Sequence, residues 1–350
     1  MTSRIVLWMF WLLENLSLKN SMKLDIKWII IVLVEVVIAS IIGFEIYKIY
    51  KLKDGKITFK NQTQYTSPIK KDALVFPSIN VLKYYYEYEP GVTVSDKPDW
   101  LPYTAMYTIN NESLNNQNDY SIEKQSNTFR IVAMGDSFTF GLYSDTKDSY
   151  PSKLESALNA TCGKYSKFEV LNLGMGGYDI QYAVERFSIH GQKYNPNLVV
   201  WLINSHNLTQ IREYLQPIQD SLEKNTSESV KQDHYTKSDY AFMVNQATQK
   251  MNDVYGKNNI LNQQKQFFQR FSSLYQGPLA IIMFSSSQNS VKDVVREYAS
   301  TRDRTYFYDG LPDIQNEYVL SDGHPSVKGY DLISQNIYKY LVSQKILPCQ

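Results

Sequence analysis

The sequence predicts an α/β domain in which a mainly parallel, five-stranded sheet lies between two layers of helices. Five short apolar runs follow residue 128, in the order FRIVAM, FEVLNL, NLVVWLI, PLAIIMF and the weaker TYFYDG. Helix-like stretches such as YPSKLESALNA and QYAVERFSIHGQKY lie between them. Strands that are apolar throughout are typical of parallel sheets covered on both faces, and their alternation with helices indicates crossover connections.

The region ahead of this domain predicts a membrane anchor. Residues 28–50 begin with WIIIVLVEVVIASIIGF, in which Glu35 is the only charged residue. An apolar run approaching ~20 residues can span a bilayer as a helix, because a helix satisfies its own backbone hydrogen bonds. Trp28 at one end, and Tyr47 and Tyr50 at the other, are placed as interfacial aromatics. A buried core helix is the alternative, but we expect a single transmembrane helix.

Shifts in composition predict the remaining boundaries. Residues 1–27 form an N-terminal segment, and residues 51–75 form a polar linker rich in Lys, Gln, Thr and Ser. Residues 76–128 form a small, Tyr-rich β extension, and residues 129–350 form the α/β domain. A long polar insertion of helical pattern occupies about residues 208–277. We expect this insertion to form either a lid over the substrate cleft or a peripheral group of helices.

Charge and cysteine content exclude some classes of partner. The chain has 36 Lys and Arg against 35 Asp and Glu, so it has no basic excess that would indicate nucleic acid. It has no CxxC pair or Cys/His cluster with metal-ligand spacing, and we expect no cofactor. Cys162 and Cys349 either form one disulfide in an oxidising compartment or remain free thiols.

Basic residues flank both ends of the apolar run, so the charge pattern leaves the orientation of the predicted transmembrane helix open. We expect the domain that follows it to be extracytoplasmic.

The first strand of the α/β domain ends in a motif that can carry a nucleophile. The motif is GDSFTFG, with the serine at position 137. A serine between a buried strand and a helix projects its hydroxyl into the cleft at the carboxyl end of the sheet. Backbone N–H groups at the start of that helix can stabilise developing negative charge. The alternative is a tight turn in which Asp136 or Ser137 only caps the helix.

A second motif, SDGHP at residues 321–325, supplies the base that a serine requires. A serine hydroxyl is unreactive until a base takes its proton, and histidine suits this role near neutral pH. The other ring nitrogen of His324 needs an acceptor, and Asp322 can reach it if Gly323 lets the backbone turn. None of the other three histidines has a carboxylate and a glycine beside it in this way. We therefore predict Ser137 as nucleophile, His324 as base and Asp322 as the orienting acid.

The order of these motifs resembles the SGNH/GDSL hydrolase family. GDSFTFG resembles the family's first block and DGHP its last, over about residues 129–345. The commoner pattern places the acid three residues before the histidine, where this chain has Ser321; the shorter spacing resembles sugar O-acetylation relatives. The resemblance implies a flavodoxin-like, three-layer α/β/α fold. It also implies that the N–H of Ser137 is one donor of an oxyanion hole.

The resemblance implies further oxyanion donors. LNLGMGGYDIQ resembles the second block, in which a glycine N–H is a donor; Gly177 aligns best and Gly174 next. The third block, Gly-x-Asn-Asp in most relatives, here reads LINSHNL and places His206 at the expected asparagine. We choose Asn207 as the third donor, with Asn204 as the alternative. If neither serves, the hole has two donors.

The sequence thus predicts a membrane-anchored serine esterase that cleaves an O-acyl ester through an acyl-serine intermediate. The 28 tyrosines and the frequent asparagines favour an envelope glycan over a free lipid as the substrate. Two alternatives stay open. The same acyl-enzyme could transfer its acyl group to a sugar hydroxyl, as an O-acyltransferase does. The domain could also be a catalytically degenerate binding module.

Overall fold

The computed structural model describes residues 73–162, 167–224 and 237–348. The N-terminal segment, the predicted transmembrane helix at residues 28–50 and most of the predicted linker lie outside these ranges. None of the helices within the described ranges is both long enough and apolar enough to cross a bilayer.

Short strands form the region ahead of the α/β domain. Strand β1 (Leu74–Val75) pairs with β2 (Glu87–Tyr88), and β3 (Thr93–Asp96) pairs with β4 (Ala105–Thr108), both antiparallel. Tyrosine and aliphatic side chains of this extension pack on Phe140, Tyr178 and Tyr182 of the α/β domain. Because an isolated two-stranded ribbon is marginal in water, this contact stabilises the extension.

A five-stranded parallel sheet forms the centre of the α/β domain. Its strands are β5 (Thr128–Met134), β6 (Lys167–Asn172), β7 (Leu198–Leu202), β8 (Leu279–Phe284) and β9 (Thr305–Leu311). They lie in the order β6-β5-β7-β8-β9, and every neighbouring pair is parallel. The winding direction reverses at β5, so a crevice opens beyond the carboxyl ends of β5 and β7.

Helices connect the strands. Their bounds are α1 (Ser137–Phe140), α2 (Tyr150–Thr161), α3 (Ile180–Arg186), α4 (Ser205–Thr209), α5 (Arg212–Lys224), α6 (Lys237–Tyr255), α7 (Lys257–Leu274), α8 (Asn289–Ser300) and α9 (Val327–Ser343). A π-helical turn at Phe187–Gly191 continues α3, and 3-10 turns occur at Thr146–Asp148, Gln192–Tyr194 and Asn316–Tyr318.

Alternate residues of β5 face the two helical layers. Ile131 and Ala133 pack in one apolar cluster with side chains of α2 and α9. Val132 and Met134 pack in another with side chains of α3, α7 and α8. Every residue of β5 is buried, as expected for a strand covered on both faces. The predicted three-layer fold with a parallel five-stranded sheet is confirmed.

The long connection between β7 and β8 has two parts. Phe268 and Phe271 of α7 pack their rings on Trp201 of β7, with centroids 5.4 and 5.2 Å away. Helix α7 is therefore a regular covering helix of the sheet. Side chains of α5 and α6 instead form a small apolar cluster of their own with Ile260. The predicted insertion is thus part covering layer and part outer helical unit.

Cys162 ends α2 and lies buried against the same apolar cluster as that helix. It is disulfide-bonded, which excludes a free thiol at this position. Cys349, the other cysteine of the sequence, lies outside the described residues.

Candidate active site

A glycine turn delivers Ser137 from the sheet into the crevice. Gly135 has φ +150°, and a Cβ there would lie 2.7 Å from the carbonyl oxygen of Leu202 in β7. Only glycine fits so close to the neighbouring strand. Asp136 then caps α1 through an Oδ1 that accepts from the N–H of Phe138 at 2.9 Å. Ser137 is the first residue of α1 and is 7% exposed.

The structure brings Ser137, His324 and Asp322 together. The Nε2 atom of His324 lies 2.9 Å from Ser137 Oγ, and its Nδ1 lies 2.6 Å from Asp322 Oδ2. Gly323 has φ +97°, in the region that favours glycine, and this lets the carboxylate fold back onto the ring. With Nδ1–H donating to Asp322, Nε2 is left to accept the serine proton. This is the arrangement of a Ser-His-Asp triad.

The His324 ring is fixed from several sides. It lies 5.5 Å from the ring of Phe138 and meets the ring of Tyr143 edge-on at 5.2 Å, between centroids. The backbone carbonyl oxygen of His324 accepts a hydrogen bond from the N–H of Leu320 at 2.7 Å, and this bond closes the loop before α9. These contacts leave the imidazole little freedom to turn away from Ser137.

Asp136, the residue before Ser137, has a fully buried carboxylate that accepts several hydrogen bonds. Its Oδ2 accepts from Asn204 Nδ2 at 2.9 Å and Asn207 Nδ2 at 3.1 Å, and it lies 2.8 Å from His206 Nε2. Burial alone would raise the pKa of Asp136, but the hydrogen bonds from His206, Asn204 and the N–H of Phe138 lower it to about 2. The carboxylate is therefore ionised at neutral pH and holds the loop after β7 against the nucleophile turn.

Asn207 is not available as an oxyanion donor. Its Nδ2 donates to Asp136 Oδ2 and, at 2.8 Å, to the carbonyl oxygen of Tyr178, which uses both amide hydrogens. Its Oδ1 accepts from the N–H of Asn204 at 2.7 Å. Both hydrogens of this amide are thus used within the protein, and the choice of Asn207 as the third donor is corrected. Asn207 instead links the three loops that surround Ser137.

Asn204, the alternative donor, differs from Asn207 in its hydrogen bonding. It directly follows Ile203 at the carboxyl end of β7, and its Nδ2 donates one hydrogen to Asp136. In the described part of the chain, the second hydrogen of this amide has no acceptor. His206, at the position of the expected asparagine, points its Nε2 to Asp136 instead.

Two backbone N–H groups complete the set of free donors. Among the described residues, neither the N–H of Ser137 nor that of Gly177 donates to a protein acceptor. Gly174, the other glycine considered, donates its N–H to Asn172 Oδ1 at 3.0 Å. A Cβ on Gly174 would also lie 2.1 Å from the backbone N of Phe140, so this glycine serves close packing.

The sheet has the strand order β6-β5-β7-β8-β9. Ser137 follows β5, and the Asp-Gly-His turn before α9 places His324 against it. The chain resembles the SGNH/GDSL hydrolases in fold and in site. No family model matches the sequence, and no curated protein matches it. The resemblance rests on the GDSFTFG and DGHP motifs of the sequence and on the geometry that joins them.

Solved structures offer distant similarities. A putative lipolytic protein of the G-D-S-L family from Desulfitobacterium hafniense DCB-2 is 19% identical, with a TM-score of 0.32, over 60% of this chain and 98% of that one. Esterase EstA from Pseudoalteromonas sp. is 12% identical, with a TM-score of 0.39, over 62% and 99%. A two-domain esterase active on acetylated mannans is 14% identical, with a TM-score of 0.37. The match covers 64% of this chain and about half, 51%, of that esterase.

A cavity of about 310 Å³ opens beside α1 of the α/β domain. Its lining comes from α1 and from the loops after β7, β8 and β9: Phe138, Asn204, Ser205, His206, Phe284, Ser286, Ser287, Asp313 and Ile314. Asp313 accepts from Ser285 Oγ at 3.0 Å and from Ser286 Oγ at 2.6 Å, which joins the last two loops. Six of the nine lining side chains are polar, so the cavity offers hydrogen-bonding partners beside Phe138, the residue that follows Ser137.

The described residues contain no group of three or more His, Cys, Asp or Glu side chains that could hold a metal ion.

Proposed function

We propose that this protein is a serine esterase that cleaves an O-acyl ester through an acyl-serine intermediate. The observation that carries the proposal is the continuous contact from Ser137 Oγ to His324 Nε2, at 2.9 Å, and from His324 Nδ1 to Asp322, at 2.6 Å. A serine with an aligned histidine base and an orienting carboxylate is the apparatus of nucleophilic acyl transfer.

The reaction has two halves. Ser137 Oγ attacks the ester carbonyl carbon while His324 takes the hydroxyl proton, and the collapse of the tetrahedral intermediate breaks the bond to the alcohol. His324 returns the proton to the departing alcohol oxygen. Water then attacks the acyl-serine in the same way, with His324 again as base, and the acid and the free serine result.

The oxyanion hole in this proposal consists of the N–H groups of Ser137 and Gly177 and the free amide hydrogen of Asn204. Their lack of protein acceptors within the described residues supports this role. The adjacent Asp136 carboxylate positions Asn204 by accepting its other hydrogen. Removing one such donor typically costs on the order of 100- to 1000-fold in turnover.

The polar side chains in the cavity lining support a glycan as the carrier of the ester. Serine, histidine, asparagine and aspartate side chains can hydrogen-bond sugar hydroxyls, whereas a long acyl chain needs an apolar lining. The same feature favours a second candidate, an O-acyltransferase, because a sugar hydroxyl in this cavity could replace water as the acceptor. The intact hydrogen bonding of the three catalytic residues argues against a degenerate binding module.

We also propose that residues 28–50 anchor the protein in a membrane with the catalytic domain outside the cytoplasm. The apolar run supports the anchor, and the disulfide at Cys162 supports an oxidising compartment. Protease added to intact cells should digest the catalytic domain if the proposal holds. Protection of the domain in intact cells, with digestion after lysis, would contradict it.

A fluorophosphonate probe tests the nucleophile. The full-length protein should be labelled, and Ser137→Ala should not be labelled. Absence of labelling of the wild type, or undiminished labelling of the variant, would refute the assignment. Transfer of the acyl group to an added glycan faster than hydrolysis would identify the transferase.

A further inference from the structure

Two side chains from outside the core of the α/β domain contact the loop that carries Gly177. Gly177 has φ +66°, and a Cβ there would lie 3.1 Å from Arg212 Nη1 and 3.3 Å from Tyr86 Oη. Tyr86 belongs to the β extension, and Arg212 is the first residue of α5. Both side chains therefore lie directly on the backbone of the proposed oxyanion glycine.

Tyr86 forms a hydrogen bond with the peptide group that also carries the N–H of Gly177. Its hydroxyl donates to the carbonyl oxygen of Gly176. That oxygen and the N–H of Gly177 belong to one trans peptide unit, so they point in opposite directions and turn together. A hydrogen bond that fixes the carbonyl therefore also fixes the direction of the free N–H.

A Gly-Gly peptide needs such support. Residues without a Cβ reach both signs of φ readily, so the peptide between Gly176 and Gly177 has little intrinsic preference for one orientation. Arg212 holds the other side of Gly177, since its Nη1 donates to the Gly177 carbonyl oxygen at 3.2 Å. The peptide units on both sides of the glycine are thereby fixed.

The two holding residues also hold each other. The guanidinium of Arg212 lies 4.8 Å from the ring centroid of Tyr86. The backbone N–H of Arg212 donates to Asp179 Oδ2 at 2.7 Å. Tyr178, which follows the glycine, donates its hydroxyl to the carbonyl oxygen of Tyr86. Burial raises the pKa of Tyr86, so its hydroxyl keeps the proton that it donates.

We propose that Tyr86 and Arg212 are positioning residues that keep the Gly177 N–H directed into the oxyanion hole. This inference rests on the proposed esterase activity. It makes the β extension part of the catalytic apparatus, although the extension supplies no reacting group.

The test is Tyr86→Phe, which removes one hydroxyl and keeps the ring. With 4-nitrophenyl acetate and the full-length protein, kcat should fall by roughly 10- to 100-fold, less than the loss from deleting a donor outright. KM should change little, because the oxyanion forms only in the transition state. An alkylboronic acid that forms a tetrahedral adduct on Ser137 should bind more weakly by a similar factor. Arg212→Lys, which keeps the charge and loses the fork, should show the same pattern.

Tyr275→Phe is the matched control. Tyr275 is buried where Tyr86 is half-buried, and its hydroxyl likewise donates to a backbone carbonyl, that of Pro278 at 3.1 Å, but at the amino end of β8. It should lose stability comparable to Tyr86→Phe and keep wild-type kcat. Unchanged kcat and boronate affinity in both Tyr86→Phe and Arg212→Lys would overturn the inference. So would equal losses in the Tyr275 control.

Failure of the underlying esterase proposal has a different signature. In that case the wild-type protein neither hydrolyses the ester nor reacts with a fluorophosphonate. A wild type that does both, with variants that match it, refutes only the positioning role.

Discussion

Replacing Asp136 by asparagine should cost the fold several kcal/mol, because it removes a buried negative charge on which several donors converge. The pKa of Asp136 falls from the ordinary 3.8 to about 2, in spite of burial, through bonds from His206, Asn204 and Phe138 N–H. Each pKa unit corresponds to ~1.4 kcal/mol, so the ionised form stabilises the fold by ~2–3 kcal/mol at neutral pH. An amide at this position also turns a donor toward other donors, at ~1–3 kcal/mol for each one left unsatisfied.

We therefore expect Asp136→Asn to lose at least ~3 kcal/mol of unfolding free energy in urea at pH 7. Since the folded pKa is depressed, this contribution is complete above 3.8 and is lost only as the pH falls toward 2. The difference from wild type should hence persist down to pH 5 and shrink only in more acidic solution. Asp293→Asn, at an exposed carboxylate paired with Arg296, is the control and should cost less than ~1 kcal/mol. A loss below ~1 kcal/mol in Asp136→Asn would refute the reasoning.

Three further predictions concern the site and its supports. Asn204→Ala should lower kcat by ~100- to 1000-fold with little change in KM, measured by ester hydrolysis; wild-type kcat would exclude Asn204 from the oxyanion hole. Gly323→Ala should strain the turn at φ +97° and lower both Tm and kcat, and an unchanged kcat would contradict the role of the turn. Burial lowers the pKa of His190, which lies 2.7 Å from Glu87. The unfolded chain thus takes up this proton first, so the contribution of His190 to stability should fall between pH 7.5 and 5.5. His190→Gln should flatten that slope in urea titrations; an equal slope would contradict it.

The two motifs of the triad could each be recognised in the sequence because the information in each is local, although Ser137 and His324 lie 187 positions apart. Asp322 and His324 sit two residues apart around a glycine, and Ser137 directly follows an apolar strand. A short spacing of this kind fixes geometry once the turn is known. The fold could be predicted for a similar reason, since strands buried on both faces need apolar residues at every position.

The oxyanion hole could not be predicted to the same depth. Spacing along LINSHNL does not show which amide keeps a free hydrogen. Asp136 accepts one hydrogen from each of Asn204 and Asn207, and the carbonyl oxygen of Tyr178 accepts the second hydrogen of Asn207 only. The contact between Tyr86 and Gly176 joins residues 90 positions apart, and no local sequence pattern predicts it. His190 likewise finds its carboxylate 103 positions away, at Glu87, so the sequence around it gives no sign of the pair.

The most direct test of the account is to trap the acyl-enzyme. Full-length protein is mixed with 4-nitrophenyl acetate, quenched with acid during turnover and digested for mass spectrometry. The account predicts one added acetyl group on the peptide that contains Ser137, and none on that peptide in Ser137→Ala. Ester turnover with no acetyl group on the Ser137 peptide, or turnover undiminished in Ser137→Ala, would contradict it.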